Sequence, residues 1–340
     1  MKLSSNFKRI LSFVLLVTLS FTLCACSKAS SQGSAVSTNP VVPTPSYTVA
    51  VIRSAIDENN ENAYNGFVSA LKDNGFTEGV NLTLVVNECE GDSKKAAAFA
   101  AQSTGDEVDL IFVTGEIAAK AAAKATTEIP IVFAGVADPI EAGLLKSCEK
   151  PNRNITGVSD FAPVNQQFKL IKTLLPKAKN ISGLYYTSDE NSILISTLAA
   201  KEAKTHGLTY TPYTAATKNE YKKSLLTGLN KGDALYISDD KLIDTYIDLI
   251  IKVAKDKKVP VFTSDKSLMD KGCVGTCLPD YTSIGYSAGE LSLILLKDLK
   301  PISELSVEYA DIYIDYVSKS AAEFYKIDIS TLPENAVIVE

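Results

Sequence analysis

The sequence predicts an α/β protein built from two doubly wound lobes. Short apolar runs rich in Val, Ile and Phe alternate with longer segments that carry Ala, Leu and Lys at helical spacing. This alternation is typical of parallel sheets covered by helices. The pattern occurs twice, with a break near Pro163, and a body of about 290 residues is large enough for two domains of ordinary size.

The beginning of the chain has the organisation of a lipoprotein signal peptide, residues 1–25. A basic start is followed by an apolar run of 14 residues, Ile10 to Leu23, and then by Ala25 and Cys26. The run is shorter than the roughly 20 residues that a membrane-spanning helix needs, so we expect cleavage before Cys26 and acylation of its sulfur. The alternative is a secretory signal whose cysteine is incidental.

Residues 26–46 are predicted to form a lipidated flexible linker, because they are small, polar and Pro-bearing without any helical or strand period. Loss of the three basic residues of the signal peptide changes the formal charge from −6 to −9, and only Arg53 and Arg153 remain as arginines. Nucleic-acid binding depends on phosphate neutralisation by Lys and Arg, so this composition argues against it.

The first lobe is predicted from five short apolar runs that are typical of strands buried on both faces. Helical segments such as the Ala-rich stretch at 116–125 lie between them. The predicted strands span residues 48–52, 82–86, 109–113, 129–134 and 155–159.

The second lobe repeats this pattern after Pro163. Its predicted strands span residues 180–186, 208–213, 233–238, 259–264 and 273–278. Ligands of doubly wound sheets bind outside the carboxyl ends of the strands, where the strand order switches. Two facing lobes are therefore expected to enclose a cleft between these edges.

The last part of the chain is predicted to cross between the lobes more than once. Residues 284–300 read as an amphipathic helix, and the following segment reads as extended. This part is too short to form a core of its own. We therefore expect lobe one to comprise 47–159 with 283–306, and lobe two 160–282 with 307–340.

Four cysteines lie in the body of the chain: Cys89, Cys148, Cys273 and Cys277. Outside the cytoplasm disulfides are allowed. Because the only histidine is His206 and no second Cys or His pair is nearby, we favour structural thiols or a local disulfide over metal binding for the last two cysteines. No cofactor or metal is predicted.

Several of these segments resemble a known family. The run DLIFVTGEIAAKAAAKATTEIPIVFAGVADPIEAGLL, followed by NITGVSD at 154–160, resembles the ABC transporter substrate-binding lipoproteins of the tryptophan/tyrosine type. The turn YYTSDENS at 185–192 and the helix IGYSAGELSLILL at 284–296 are similar to further motifs of that family. The resemblance covers about Tyr47 to Lys326.

This resemblance implies a type I periplasmic-binding fold, in which two Rossmann-like lobes are joined by a multi-strand hinge. It also implies a protein that captures an aromatic amino acid (Trp, Tyr or Phe) and delivers it to an ABC permease and its ATPase. We expect such a protein to be monomeric, extracytoplasmic and anchored by lipid to the membrane. The family's Pro-Thr-Asp-Asn turn stands here as residues 238–241, which keeps the acid at Asp240 but ends in Lys241. Another amino acid or a small polar solute therefore remains an alternative ligand.

Small polar residues follow the predicted strands of the first lobe. Helix N-termini offer free N–H groups to a carboxylate, and glycine lets a ligand approach the backbone. Ordinary capping and turn formation is the alternative role. We expect the ligand carboxylate near Thr114, Gly115 and Gly135. The candidate residues of this lobe are Ser54, Asp57, Thr114, Gly115, Ala134 and Gly135.

Asp160 ends the TGVSD motif at the lobe crossing, where its carboxylate is placed to receive a ligand ammonium. The alternative is a hinge aspartate that caps the helix beginning near Val164. Asp138 is expected to start a turn and Asp265 to cap a helix. The candidate ligand-binding residues of the second lobe are Tyr186, Asn191, Ser192, Asp240 and Thr263. Tyr64, Tyr186 and Tyr281 are able to stack on an aromatic ligand or to line the core edges.

Three functions compete at this point: solute capture for an importer, a ligand-sensing module for a receptor, and a secreted hydrolase. No receptor domain or second apolar spanning run is present in the sequence, which favours the first over the second. The sequence also contains no Gly-x-Ser-x-Gly elbow, metal-spaced cluster or phosphate loop. We therefore predict a protein that binds and does not catalyse.

Overall fold

The computed structural model describes residues 46–105, 108–238, 240 and 242–340. The predicted signal peptide, all of the linker except Ser46, and Cys26 lie outside this part of the chain. Within it, no helix combines the length and the apolar character that a membrane span requires.

The first sheet has six parallel strands in the order β11-β5-β4-β3-β1-β2. Every residue of β3, β4 and β5 is buried, because helices cover both faces of the sheet, as their continuous apolar sequences predicted. The strands are β1 (Tyr47–Arg53), β2 (Leu82–Glu88), β3 (Leu110–Thr114), β4 (Ile131–Ala134), β5 (Ile155–Ser159) and β11 (Glu308–Tyr309).

Four helices cover this sheet: α1 (Glu58–Asp73), α2 (Ser93–Gly105), α3 (Gly115–Ala125) and α8 (Tyr281–Leu296). On one face α2 and α3 pack through small buried residues such as Ala96, Ala100 and Ala119, and on the other α1 and α8 pack around Phe67 and Ile284. The lobe is therefore a three-layer α/β sandwich, as its alternating pattern predicted.

The second sheet has seven strands in the order β13-β12-β10-β9-β8-β6-β7, and only the β10–β12 pair is antiparallel. Its strands are β6 (Asn180–Tyr186), β7 (Thr209–Ala215), β8 (Ala234–Ile237), β9 (Val261–Thr263), β10 (Gly275–Pro279), β12 (Tyr313–Ser318) and β13 (Val337–Val339). Its helices are α4 (Val164–Leu174), α5 (Glu190–Thr205), α6 (Lys218–Leu229), α7 (Ile243–Lys257) and α9 (Lys319–Tyr325), and two 3-10 helices span Lys266–Lys271 and Ile302–Glu304.

The chain crosses between the two sheets three times: from β5 to α4, from β10 to α8, and from β11 to β12. The last two crossings differ slightly from the predicted boundaries. Helix α8 already begins at Tyr281, because Asp280 caps it, and Glu308 and Tyr309 still pair with β5 of the first sheet. Multiple crossings of this kind form the expected multi-strand hinge.

Helices α1 and α8 approach each other closely through glycines. A Cβ atom added at Gly285 would lie 1.9 Å from the carbonyl oxygen of Ala63, and one added at Gly66 would lie 2.0 Å from that of Thr282. No side chain fits at either position. The contact therefore fixes the beginning of α8 against the beginning of α1.

Candidate ligand-binding site

A small cavity lies at the point where the order of the first sheet reverses, between the carboxyl ends of β1 and β3. Chain order runs from β1 outward to β2 and then back to β3 on the other side of β1, so the loops that leave β1 and β3 diverge. The cavity has a volume of about 110 Å³. It is lined by Asp57, Asn59, Asn60, Ala63, Thr114, Gly115, Ala134, Gly135, Asp160 and Tyr281.

Asp160 lines this cavity and carries one carboxylate oxygen without a hydrogen-bond partner. Its Oδ2 atom accepts a hydrogen bond of 2.5 Å from the hydroxyl group of Tyr281, whereas its Oδ1 atom is buried without a hydrogen-bond partner. Burial raises the pKa of the Asp160 carboxyl, and the hydrogen bonds from Tyr281 and from the residue's own backbone oppose this rise. A cationic donor at Oδ1 would satisfy the oxygen and stabilise the ionised form.

Asp160 does not cap the next helix. The residue before α4 is Pro163, and no side chain makes a capping hydrogen bond there. The alternative role considered for Asp160 is therefore absent from the structure.

A chain of hydrogen bonds links the beginnings of α1 and α3 at the cavity wall. Asp57 caps α1 by accepting from the N–H group of Asn60 at 2.8 Å, and its carboxylate also accepts from the Asn60 side-chain amide at 2.9 Å. The hydroxyl group of Thr114 donates to Oδ1 of Asn60. Asp57 and Thr114, two residues of the predicted site, are therefore connected through their hydrogen bonds to Asn60 at the cavity wall.

The first turn of α3 offers backbone donors to the same cavity. Gly115 has φ +75°, and a Cβ atom there would lie 2.9 Å from Oγ of Ser54. Ser54 is buried and its Oγ atom accepts from the N–H group of Ala118 at 2.9 Å, while Thr114 makes no capping hydrogen bond. The N–H groups of the first three residues of α3 therefore have no acceptor within the helix.

Gly135 shapes the cavity but does not donate to it. Its N–H group already donates to the carbonyl oxygen of Val158 at 3.0 Å. This N–H group is therefore already hydrogen-bonded, and a ligand carboxylate near Gly135 stays a prediction. Gly135 has φ +74°, and a Cβ atom there would lie 3.2 Å from the ring of Tyr281.

The two arginines of the body are engaged elsewhere. Arg53 forms ion pairs with Glu61 and with Glu88, at 2.5 and 3.0 Å. Arg153 donates to the carbonyl oxygen of Leu144 at 2.7 Å. No Lys or Arg lines the cavity, so no cationic side chain of the lining is placed to meet an anionic group.

The candidate residues of the second lobe are not gathered in this cavity. Asn191 lines a separate cavity of about 310 Å³ between the lobes, together with Glu116 and Phe161. Tyr186 packs against the second lobe's core. Ser192 and Thr263 are fully buried; the N–H group of Ser192 donates to Asp189 at 3.0 Å, and Oγ1 of Thr263 accepts from the N–H group of Asp265 at 3.1 Å.

Asp240 is buried at the exit of β8 rather than exposed to a cavity. Its carboxylate accepts from the N–H group of Leu242 at 2.8 Å and from the hydroxyl group of Tyr221 at 3.5 Å. Burial is the main reason that the pKa of Asp240 is raised. These contacts stabilise the turn before α7.

Three lining residues escaped the sequence analysis: Asn59, Asn60 and Ala63. Asn60 lies three residues after the capping Asp57, a spacing that places it in the first turn of a helix, so its proximity was detectable. Tyr281 is a sequence candidate for stacking or for the core edge, but not for a contact with Asp160. Its hydroxyl contact with Asp160 joins residues 121 positions apart, and no local pattern indicates it.

The four cysteines among the described residues are unpaired thiols. The local disulfide that the Cys273 and Cys277 spacing allowed is therefore not formed, and burial raises the pKa of Cys273 to about 12. Among the described residues, no group of three or more His, Cys, Asp or Glu side chains is arranged to hold a metal ion. Asp265 caps the 3-10 helix at Lys266–Lys271, as predicted.

Comparison with known proteins agrees with this architecture. Residues 48–337 match the model of the family described as ABC transporter substrate binding protein. A tyrosine-binding protein from Clostridioides difficile is 32% identical over 274 residues, which cover 80% of this chain and 79% of that protein.

Solved structures are also similar to this chain. A ligand-free, open substrate-binding protein with adhesive properties from Clostridium difficile has a TM-score of 0.79 and 29% identity, covering 86% of this chain and 99% of that one. An ABC domain from Streptococcus pneumonia in complex with L-Trp has a TM-score of 0.62 and 27% identity, covering 86% and 100%. The chain therefore belongs to the ABC transporter substrate-binding protein family.

Proposed function

We propose that this protein captures an aromatic L-amino acid outside the cytoplasm and presents it to the permease of an ABC importer. The observation that carries the proposal is the buried, unpartnered Oδ1 atom of Asp160, a residue that lines the cavity of the first lobe. An ammonium group there would form a charge-assisted hydrogen bond in a desolvated place.

The first turn of α3, which begins at the lining residue Gly115, suits the carboxylate of the same ligand. This turn presents backbone N–H groups and the positive end of the helix dipole. A zwitterionic amino acid, whose ammonium and carboxylate groups are attached to the same carbon atom, therefore fits Asp160 and the first turn of α3.

The size of the cavity supports a ligand that extends beyond the first lobe. A volume of about 110 Å³ accommodates the ammonium and carboxylate groups but not a Trp, Tyr or Phe side chain as well. The side chain would lie in the cleft towards the second lobe. The tyrosine-binding relative and the relative solved with L-Trp support an aromatic side chain.

Calorimetry on purified residues 27–340 tests the proposal. A micromolar Kd corresponds to about 8 kcal/mol, and loss of a desolvated, charge-assisted hydrogen bond removes about 2–5 kcal/mol. We expect the parent to bind L-tyrosine, L-tryptophan or L-phenylalanine, and Asp160→Ala to bind at least about thirtyfold more weakly.

A matched control is Asp315→Ala, since Asp315 is also a partly buried carboxyl with a raised pKa but lies on β12 of the second sheet. It should bind like the parent. No binding of any amino acid by the parent would refute the ligand class, and Asp160→Ala with parental affinity would refute the role of Asp160.

We also propose that lipid on Cys26 anchors the protein to the outer face of the cell membrane. The support is the basic, apolar and Ala25-Cys26 order of the first residues. In cells, Cys26→Ser should release folded protein into the soluble fraction. Membrane-bound Cys26→Ser protein, or parent protein without attached lipid, would contradict the anchor.

A further inference from the structure

Tyr281 connects the candidate ligand site to the hinge. It is the first residue of α8 and directly follows the crossing from β10, whereas Asp160 directly follows β5 at the first crossing. The hydrogen bond of 2.5 Å between the Tyr281 hydroxyl group and Oδ2 of Asp160 therefore joins two of the three crossings.

The Tyr281 ring is held on more than one side. Its Cε1 atom lies 3.2 Å from the position that a Cβ atom at Gly135 would occupy, so the ring lies against the Gly135 backbone. Its helix cannot shift easily, because Gly285 brings α8 into close contact with Ala63 of α1. The hydroxyl group is thus fixed relative to the cavity.

The two oxygens of Asp160 have different surroundings as a result. Oδ2 accepts the hydrogen bond from Tyr281, and Oδ1 has no hydrogen-bond partner. Without the tyrosine hydroxyl, the carboxyl group would be free to rotate about its terminal torsion, which is broad for aspartate. The hydrogen bond selects one orientation.

We propose that Tyr281 is a positioning residue, whose hydroxyl group holds Oδ2 of Asp160 so that Oδ1 faces the ligand ammonium. The proposal rests on the function proposed above, since it specifies how the same site is prepared for its ligand. Tyr281 acts through Asp160 and is not itself assigned a contact with the ammonium.

The positioning role of Tyr281 is measurable because its hydrogen bond affects the pKa of Asp160. Burial and the negative charge of Glu116 on α3 raise the pKa of Asp160, and the hydrogen bond from Tyr281 on α8 lowers it. Asp57, the cap of α1, acts on Tyr281 and contributes to raising the tyrosine's pKa. Removing the tyrosine hydroxyl therefore raises the pKa of Asp160 further.

The first experiment compares Tyr281→Phe with the parent by calorimetry with L-tyrosine and L-tryptophan between pH 5 and pH 8. Loss of a hydrogen bond to a charged group should weaken binding roughly tenfold at neutral pH. Protonated Asp160 cannot bind an ammonium, so affinity should also begin to fall at a higher pH in Tyr281→Phe than in the parent.

Tyr286→Phe is the matched control. Tyr286 lies on the same helix, and its hydroxyl group donates at 3.4 Å to Asp73 on the exposed side. Both the affinity and its pH profile should match those of the parent.

The second experiment needs no ligand: carbon-13 NMR titration of the Asp160 carboxyl in the empty protein. We expect a higher pKa for Asp160 in Tyr281→Phe than in the parent or in Tyr286→Phe. An unchanged Asp160 pKa, or weaker binding with an unchanged pH profile, would overturn the positioning role. Failure of the parent to bind any amino acid would refute the proposed function alone, because the titration still decides the role of Tyr281.

Discussion

At Asp160, the proposed ligand-binding role and the stability of the folded protein are opposed. Its Oδ1 atom is buried without a partner, and burial is the largest cause of its raised pKa. Burying an ionised group without compensation costs free energy. In the absence of ligand, this carboxyl group therefore destabilises the folded protein at neutral pH.

Replacing Asp160 with asparagine should stabilise the empty protein. An unfolded aspartate has a pKa of about 3.9, and the folded value is higher. Between these values the folded state holds more protons, so the free energy of unfolding falls as pH rises through this window and stays low above it. One pKa unit corresponds to about 1.4 kcal/mol, so the melting temperature of Asp160→Asn at pH 7 should be higher by a few degrees.

The advantage of Asp160→Asn should disappear as the pH approaches 3.9, which a series of thermal melts would show. The amide still accepts the Tyr281 hydrogen bond, so the contact with α8 is retained. Asp138→Asn is the control, because this partly exposed turn carboxylate already accepts hydrogen bonds from the N–H groups of Ile140 and Glu141. A lower melting temperature for Asp160→Asn at pH 7 would contradict the argument.

At the scale of elements, the contact between α1 and α8 determines the geometry of the site. Ala63 of α1 and Tyr281 of α8 both line the cavity. The glycine contacts at Gly66 and Gly285 set the distance between these helices. A change far from any ligand atom should therefore affect binding.

Gly285→Ala should destabilise the protein and weaken ligand binding. The added Cβ atom cannot remain 1.9 Å from the Ala63 carbonyl oxygen, so the helices must separate. Overpacking of this kind typically costs about 1–3 kcal/mol, measurable by urea unfolding. Gly105→Ala at the end of α2, where an added Cβ meets nothing within 4 Å, is the control and should be neutral or slightly stabilising. Equal stability of the two variants would contradict the prediction.

The helices and strands were predictable where a local sequence pattern, such as a continuous apolar run, indicates that the segment is buried. The strand at 155–159 was identified from a continuous apolar run, and β5 is buried at every residue because helices cover both faces. Thr114 and Gly115 were identifiable as a strand exit that meets a helix. Tyr281 and the occupied N–H group of Gly135 depend on packing between distant segments, which a sequence pattern does not contain.

At the scale of the whole molecule, three crossings of the chain connect the lobes. A surface ion pair between Lys266 and Glu58 also joins the two lobes. Lys266 of the second lobe donates to Glu58 at the beginning of α1 at 3.1 Å. Both side chains are well exposed, at 41% and 71%, and such pairs typically contribute less than about 1 kcal/mol. The hinge strands rather than this pair therefore govern the relative position of the lobes.

Ligand binding should bring the lobes together and stabilise the protein. A ligand held by the first lobe and touching the second would compact the particle, which X-ray scattering would detect as a smaller radius of gyration. At a hundredfold excess over Kd the expected stabilisation is about 2.7 kcal/mol. Lys266→Ala should close in the same way. A scattering curve unchanged by a ligand of proven affinity would contradict closure.

The small volume of the first-lobe cavity has a stereochemical consequence. Asp160 and the first turn of α3, which both line the cavity, would hold the ammonium and carboxylate groups, so only one of the two remaining substituents on the ligand's α-carbon can point out towards the cleft. In the mirror-image amino acid the hydrogen atom would take that direction. The aromatic ring would then point into the cavity, whose volume of about 110 Å³ is too small for it. The site should therefore discriminate between the L and D enantiomers of its ligand. Calorimetry should show that D-tryptophan binds far more weakly than L-tryptophan.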